Sequence, residues 1–207
     1  YRNRNRYYLF LLLTLGAVMG VFLSADFFTA FLFFEIMSFT SFVWVAHEEK
    51  EEAMGAAVTY LGVAVIGGMV TLMGLFLFYH AAGTLEFSEL LPACRALWEE
   101  KRGTFYLAGG LTAFGFAAKA GVFPLHIWLP KAHPVAPAPA SALLSGILTK
   151  AGLFGLLILG CQVFRCDPYW GMAVFVFGLV TMFGGALLAV FSVDLKRTLA
   201  CSSVSQI

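Results

Sequence analysis

Charge is scarce in these 207 residues: 13 Lys and Arg with 12 Asp and Glu make up 12% of the chain, about half the share of a soluble domain. That excludes a soluble enzyme. The basic residues gather on no one face, so a nucleic-acid partner is excluded too. Cysteine is also rare, and Cys94, Cys161, Cys166 and Cys201 form no CxxC pair and have no His at ligand spacing. They read as small apolar residues rather than metal ligands. With no haem motif and no nucleotide loop either, no cofactor and no metal site is expected in the chain itself.

What fills the sequence is apolar: 60% hydrophobic residues, 16% aromatics and 22 Phe. Stretches of about 20 residues with few charges run over 9 to 23, 27 to 46, 53 to 79, 104 to 123, 139 to 163, 169 to 191 and 193 to 207. The expected fold is therefore all-α, a polytopic membrane bundle of about seven transmembrane helices. The chain opens on Tyr1 without a signal-peptide cleavage pattern and stops abruptly at Ile207, which reads as a piece of a longer polytopic protein.

Net charge is near zero, but its placement is uneven. With the N-terminus in the cytoplasm, Arg2, Arg4, Arg6, Lys50, Lys131, Lys196 and Arg197 fall inside, and Arg95, Lys101, Arg102 and Arg165 fall outside, a mild positive-inside bias. RNRNRYY at 2 to 8 reads as a cytoplasmic anchor with interfacial tyrosines, and 81 to 103 as a polar connection. Within it Leu90, Leu91, Ala93, Leu97 and Trp98 predict a short helix lying in the interface. Asp26 reads as a helix N-cap. Asp194, Lys196 and Arg197 read as a charged collar.

Five of the seven prolines lie between 124 and 139. A proline inside a helix costs about 3 kcal/mol and frees a carbonyl, so Gly121-Val-Phe-Pro124 predicts a break in the helix that carries Lys119. In a membrane such a break is tolerated only where protein buries it or water reaches it.

Three ionisable residues sit deep in apolar runs: Glu35, Lys119 and Lys150. Each charge at a helix centre costs about 2.5 to 3.5 kcal/mol on insertion scales. A structural ion-paired core is one account of the three. The other is a proton relay: a lysine exchanges protons near neutral pH only where its surroundings offset the charged form by roughly 4 kcal/mol. Burial supplies that and a nearby carboxylate opposes it, so the approach and withdrawal of Glu35 would set the affinity of Lys119. His126 and His133 flank the break as possible relay or capping residues, with an ordinary capping or solvent-facing role favoured for His133.

The stretches FFEIMSFTSF, GFAAKAGVFPLHIWLPKAHPVAPAPASALLSGILTKAGLFGLLI and DLKRTLACSSVSQI, in that order, resemble the antiporter-like membrane subunits of respiratory complex I, of membrane-bound hydrogenase and formate hydrogenlyase complexes, and of Mrp-type cation/proton antiporters. The resemblance covers essentially the whole chain. It implies inverted five-helix repeats, each with one broken helix: about 9 to 163 would be the first, and 164 to 207 the start of a second whose own broken helix lies beyond Ile207. It also implies roles: Glu35 matches the family's glutamate, Lys119 the lysine of the first broken helix, Lys150 the lysine that passes protons toward the middle of the membrane, and His126 the histidine of the PLHxWLP motif. The HPVAPAPASALLSGILTK form is closer to hydrogenase-type and quinone-reductase-like subunits than to the form with His in place of Lys150.

The expected function is thus a non-redox, proton-translocating subunit of an NADH:quinone oxidoreductase-like or hydrogenase complex in a bacterial or archaeal cell membrane. Its partners would be other membrane subunits, the lipid bilayer and protons. Sodium/proton exchange in an Mrp-type antiporter and a non-conducting scaffold are the alternatives.

Overall fold

The computed structural model describes residues 3–165 and 167–207; Tyr1, Arg2 of the basic opening and Cys166 lie outside the described residues. The described chain is helical: α1 (Arg4–Leu23), α2 (Phe27–Val45), α3 (Glu51–Ala82), α4 (Phe87–Ala96), α5 (Trp98–Ala120), a 3-10 turn (Leu125–Trp128), α6 (Leu129–Val135), α7 (Ala138–Leu143), a π-helical turn (Leu144–Leu148), α8 (Thr149–Gln162), α9 (Pro168–Val190) and α10 (Leu195–Ser205). An isolated antiparallel bridge pairs Asp26 with Glu86.

Among the described residues six helical stretches are long and apolar enough to cross a membrane: Arg4–Leu23, Phe27–Val45, Glu51–Ala82, Trp98–Val135, Ala138–Gln162 and Pro168–Val190. The seventh expected helix, at 193 to 207, departs from expectation. Its described helix, α10, has 11 residues, about 16 Å at 1.5 Å per residue, short of the roughly 30 Å apolar core. A bend at 191 to 194 separates it from α9, and its first turn holds Lys196 and Arg197. Large side chains such as Leu12, Met19, Leu32, Ile66, Met69, Phe76 and Phe183 point outward, the apolar surface that a lipid solvent demands.

A short helix does form in the 81 to 103 connection: α4 buries Leu90 and Cys94 and leaves Arg95 outside, while Leu97 and Trp98 fall at the start of α5. Asp26 caps α2, its carboxylate accepting from the Thr29 N–H at 2.7 Å. The site is positioned by α2, α3 and α5, of which α3 and α5 are the most extensively packed pair. They approach closely because Gly67 faces Gly115: a Cβ on Gly67 would lie 3.3 Å from the Gly115 Cα, the small-residue contact by which membrane helices associate.

The break falls where the glycine and proline place it. Gly121 adopts φ 89°, a left-handed cap that suits glycine, and its N–H and that of Val122 both bond the Ala117 carbonyl. The Ala118 carbonyl accepts from the Trp128 indole N–H at 2.8 Å, and the Phe123 N–H donates to the Thr181 hydroxyl at 3.0 Å. Thr181 is one of only two buried residues on α9. These five backbone groups at the break thus find side-chain or local partners inside the protein, as a buried break requires.

The helix expected over 139 to 163 is also interrupted. The chain turns at Ala136 and Pro137, and the π-helical turn at Leu144–Leu148 lies immediately ahead of Thr149 and Lys150. Lys196 closes the first of these turns, its ammonium donating to the carbonyls of Pro134 (3.2 Å) and Ala136 (2.9 Å). The collar lysine is a cap for the broken helix.

Candidate functional site

Lys119 occupies the last turn of α5, one residue before its end, and is 2% exposed. Helix α2 brings Ser38 to its Nζ at 2.9 Å, and α3 brings the Tyr60 hydroxyl at 2.6 Å. The ammonium also lies 4.4 Å from the Tyr60 ring centroid, 5.9 Å from Phe34 and 6.0 Å from Trp128, a cation–π environment. Tyr60 shares a second hydrogen bond with Ser41 at 2.6 Å. The two serines are held in turn by their own helix, Ser38 donating to the Phe34 carbonyl and Ser41 to that of Met37. The result is a four-member chain, Ser38, Lys119, Tyr60 and Ser41, in which the other three members are neutral hydroxyls.

Glu35 is on the same helix, one turn before Ser38, and is partly buried. It makes no ion pair with Lys119 among the described residues, where the salt bridges are Arg6 with Glu49 and Lys50 with Glu48. Its carboxylate instead lies against Gly68 of α3, in the space a Cβ there would fill. Its Oε1 is buried without a hydrogen-bond partner. An acceptor left bare in this way is costly, and it contrasts with the Ser38, Ser41 and Tyr60 hydroxyls, which are all partnered.

His126 lies in the 3-10 turn behind the break, buried, with its ring stacked on Phe123 at 5.0 Å. Among the described residues no hydrogen bond joins it to Lys119. Of the two ordinary roles expected for His133, solvent-facing or capping, the first does not hold: it is 3% exposed, and its Nδ1 pairs with the Ser141 hydroxyl at 2.6 Å. Its Nε2 is buried without a partner.

Lys150 lies near the middle of its membrane-crossing stretch, Ala138–Gln162, as expected, but outside the buried cluster. It is exposed on the outer face of α8, and its Nζ donates to the Ser145 carbonyl at 3.0 Å. That carbonyl lies in the π-helical turn. The same carbonyl accepts from the Thr149 hydroxyl at 2.8 Å. Glu35, Lys119 and Ser38 are therefore gathered in one place, whereas Lys150 faces away from the described bundle.

Ser38, Ser41 and Tyr60 do not stand out in the sequence. A faint signal is there: Ser38 and Ser41 follow Glu35 at intervals of three, which puts all three on one helix face, and Tyr60 is a phenol inside an apolar run. Chemically the site offers a buried amine whose two hydroxyl partners can each donate or accept. It can hold the ammonium or the free amine without rearranging its heavy atoms.

The model of the family described as NADH:quinone oxidoreductase/Mrp antiporter, TM, matches residues 24–207. Hydrogenase-4 component B of Escherichia coli K12 is 33% identical over 184 residues, covering 84% of this chain and 26% of that protein. A Na(+)/H(+) antiporter subunit of Alkalihalophilus pseudofirmus is 30% identical over 207 residues, 100% of this chain and 42% of that one. Among solved structures, an archaeal membrane-bound sulfane sulfur reductase aligns with a TM-score of 0.86 at 28% identity, over 97% of this chain and 41% of that chain. The Mrp complex from Dietzia sp. aligns at 0.86 and 27% identity, over 95% and 37%. The chain spans less than half the length of these relatives, and a multi-pass membrane chain that matches the family over residues 24–207 belongs to the NADH:quinone oxidoreductase/Mrp antiporter transmembrane family.

Proposed function

We propose that this chain moves protons through a Glu35 to Lys119 relay, as part of one subunit among several in a dehydrogenase-like or hydrogenase-like complex of a cell membrane. The observation that carries the reading is the buried Lys119 amine, held at 2.9 and 2.6 Å by two hydroxyls rather than by a carboxylate. A permanent ion pair would hold the proton on Lys119, whereas hydroxyl partners tolerate its loss. Glu35, with an unpartnered oxygen one helix turn from Ser38, is the group whose approach would bring the proton back.

In this reading residues 9 to 163 form the first five-helix repeat and 164 to 207 begin a second. His126 supports the relay from behind the break, and Lys150 is the exit toward whatever packs on the outer face of α8. Redox chemistry takes place in partner subunits, and its energy arrives here as a displacement that alters the Glu35 to Lys119 separation. A sodium/proton exchange reading is favoured by one specific observation, the 30% identity over the full chain with an antiporter protein named for that exchange.

The test is proton flux by the full-length protein in its complex, reconstituted in proteoliposomes, with Lys119→Met and Glu35→Gln at equal assembled protein. Loss of flux in both, with the complex intact, supports the relay; a matching loss of sodium movement selects the antiporter form. Unchanged flux would leave the buried charges a structural core and the chain a scaffold.

A further inference from the structure

A second site lies at the end of the bundle remote from Lys196, where the start of α5, the end of α8 and the start of α9 meet. These are the ends of three membrane-crossing stretches, which puts the place at headgroup depth. A cleft of about 450 Å³ opens there, with Arg95, Arg102 and Arg165 in its lining. None of the three is in an ion pair among the described residues. We infer that this cleft binds the phosphodiester headgroup of an anionic phospholipid.

Three features argue for that ligand. The first is charge. The lining also holds Glu99 and Asp167, so three guanidiniums against two carboxylates leave one net positive charge, the complement of a single phosphodiester. Asp167 is already committed: it accepts from the Tyr106 hydroxyl and, at 2.9 Å, from the Trp170 N–H, where it caps α9. The second is orientation. The Arg102 guanidinium is 5.5 Å from the Tyr106 ring centroid and 5.7 Å from that of Tyr169. Ring contacts restrict the planar group, and a guanidinium held in this way presents the fork geometry that phosphate oxygens match in pairs. The third is the wall: Trp98 and Tyr169 line the cleft, the residue types that gather where acyl chains give way to headgroups. A zwitterionic headgroup would bring its own cation up to the three arginines, so a lipid such as phosphatidylglycerol fits better than phosphatidylcholine.

The experiment is calorimetric titration of the detergent-solubilised full-length protein with short-chain phosphatidylglycerol, short-chain phosphatidylcholine and inorganic phosphate. Saturable binding of phosphatidylglycerol is expected, at least tenfold tighter than phosphatidylcholine and not displaced by equimolar phosphate. Arg102→Gln and Arg165→Gln should each weaken it at least tenfold. Arg95→Gln, at an exposed position, carries the same test if either of those fails to fold. Lys131→Gln, at the opposite end of the broken helix, should leave affinity unchanged. Equal affinity for the two lipids, an unaffected set of arginine variants, or an equal loss in Lys131→Gln overturns the site. Displacement by phosphate as effective as by the lipid shows a free-anion site and overturns it as well.

Discussion

The Lys119 ammonium donates to the Tyr60 hydroxyl at 2.6 Å, and Tyr60 passes the contact on to Ser41 at the same distance. A phenol is therefore the link between the amine on the broken helix and the serine face of α2. Tyr60→Phe should remove one of two hydrogen bonds to a buried amine, at a cost of about 1–3 kcal/mol, and cut proton flux about tenfold or more. In Lys119→Met/Tyr60→Phe both partners are gone, and Ser38 and Ser41 keep their bonds to the Phe34 and Met37 carbonyls. The double variant should regain at least half of the stability that Tyr60→Phe loses, without regaining flux. Thermal unfolding in detergent, read as a double-mutant cycle, checks it; additive losses would mean that the contact carries no coupling.

Six of the seven expected membrane helices and the break are legible in the sequence because both depend on local signals: long apolar runs for the first, Gly121 and Pro124 for the second. Two things are not. The π-helical turn at Leu144–Leu148 follows from a one-residue register shift that leaves no mark on an already apolar run. It also escapes a reading that looks for prolines. The hydroxyl partners of Lys119 come from α2 and α3, 81 and 59 residues away. Only the packing of α2 and α3 on α5 brings them together, and no spacing rule reaches that far. The outward position of Lys150 is hidden for a related reason, since depth along a helix is readable from sequence but direction around it depends on the neighbours.

Lys196 supplies a second prediction. It satisfies the Pro134 and Ala136 carbonyls at the turn that separates α6 from α7. Lys196→Met leaves both acceptors without that donor, a loss of about 1–3 kcal/mol, while Lys196→Arg restores a donor on a side chain of similar reach. The expected order of unfolding midpoints is wild type, then Arg, then Met. Equal midpoints for the Arg and Met variants would show that the carbonyls find water instead.

Cysteine chemistry gives a third. Cys94 in α4 is fully buried, and burial pushes its thiol up to about 11. At pH 8 only about one thiol in a thousand would be thiolate, the reactive form. Cys161 is exposed at the end of α8. A membrane-permeant maleimide at pH 8 should therefore label Cys161 at least tenfold faster than Cys94, with Cys94 gaining reactivity only as the pH approaches 11. Comparable rates at pH 8, followed by mass spectrometry of the peptides, would contradict the buried placement of α4.

Two glycines on the path between α2, α3 and α5 should respond in opposite ways. At Gly68 an added Cβ meets the Glu35 carboxylate, the far end of a flexible side chain that can rotate away. Gly68→Ala should therefore fold and assemble while displacing Glu35 from the site. At Gly115 an added Cβ meets the Gly67 carbonyl and the Thr71 hydroxyl. The first is backbone and cannot rotate, so α3 and α5 must separate where they pack most closely, and overpacking of this kind costs typically 1–3 kcal/mol or more. Gly115→Ala is expected to lower assembled protein severalfold. Gly68→Ala is expected to keep near wild-type levels and lose proton flux to the extent that Glu35→Gln does. If Gly68→Ala assembles and conducts normally, the position of Glu35 against α3 is irrelevant to transport and its place in the relay is lost.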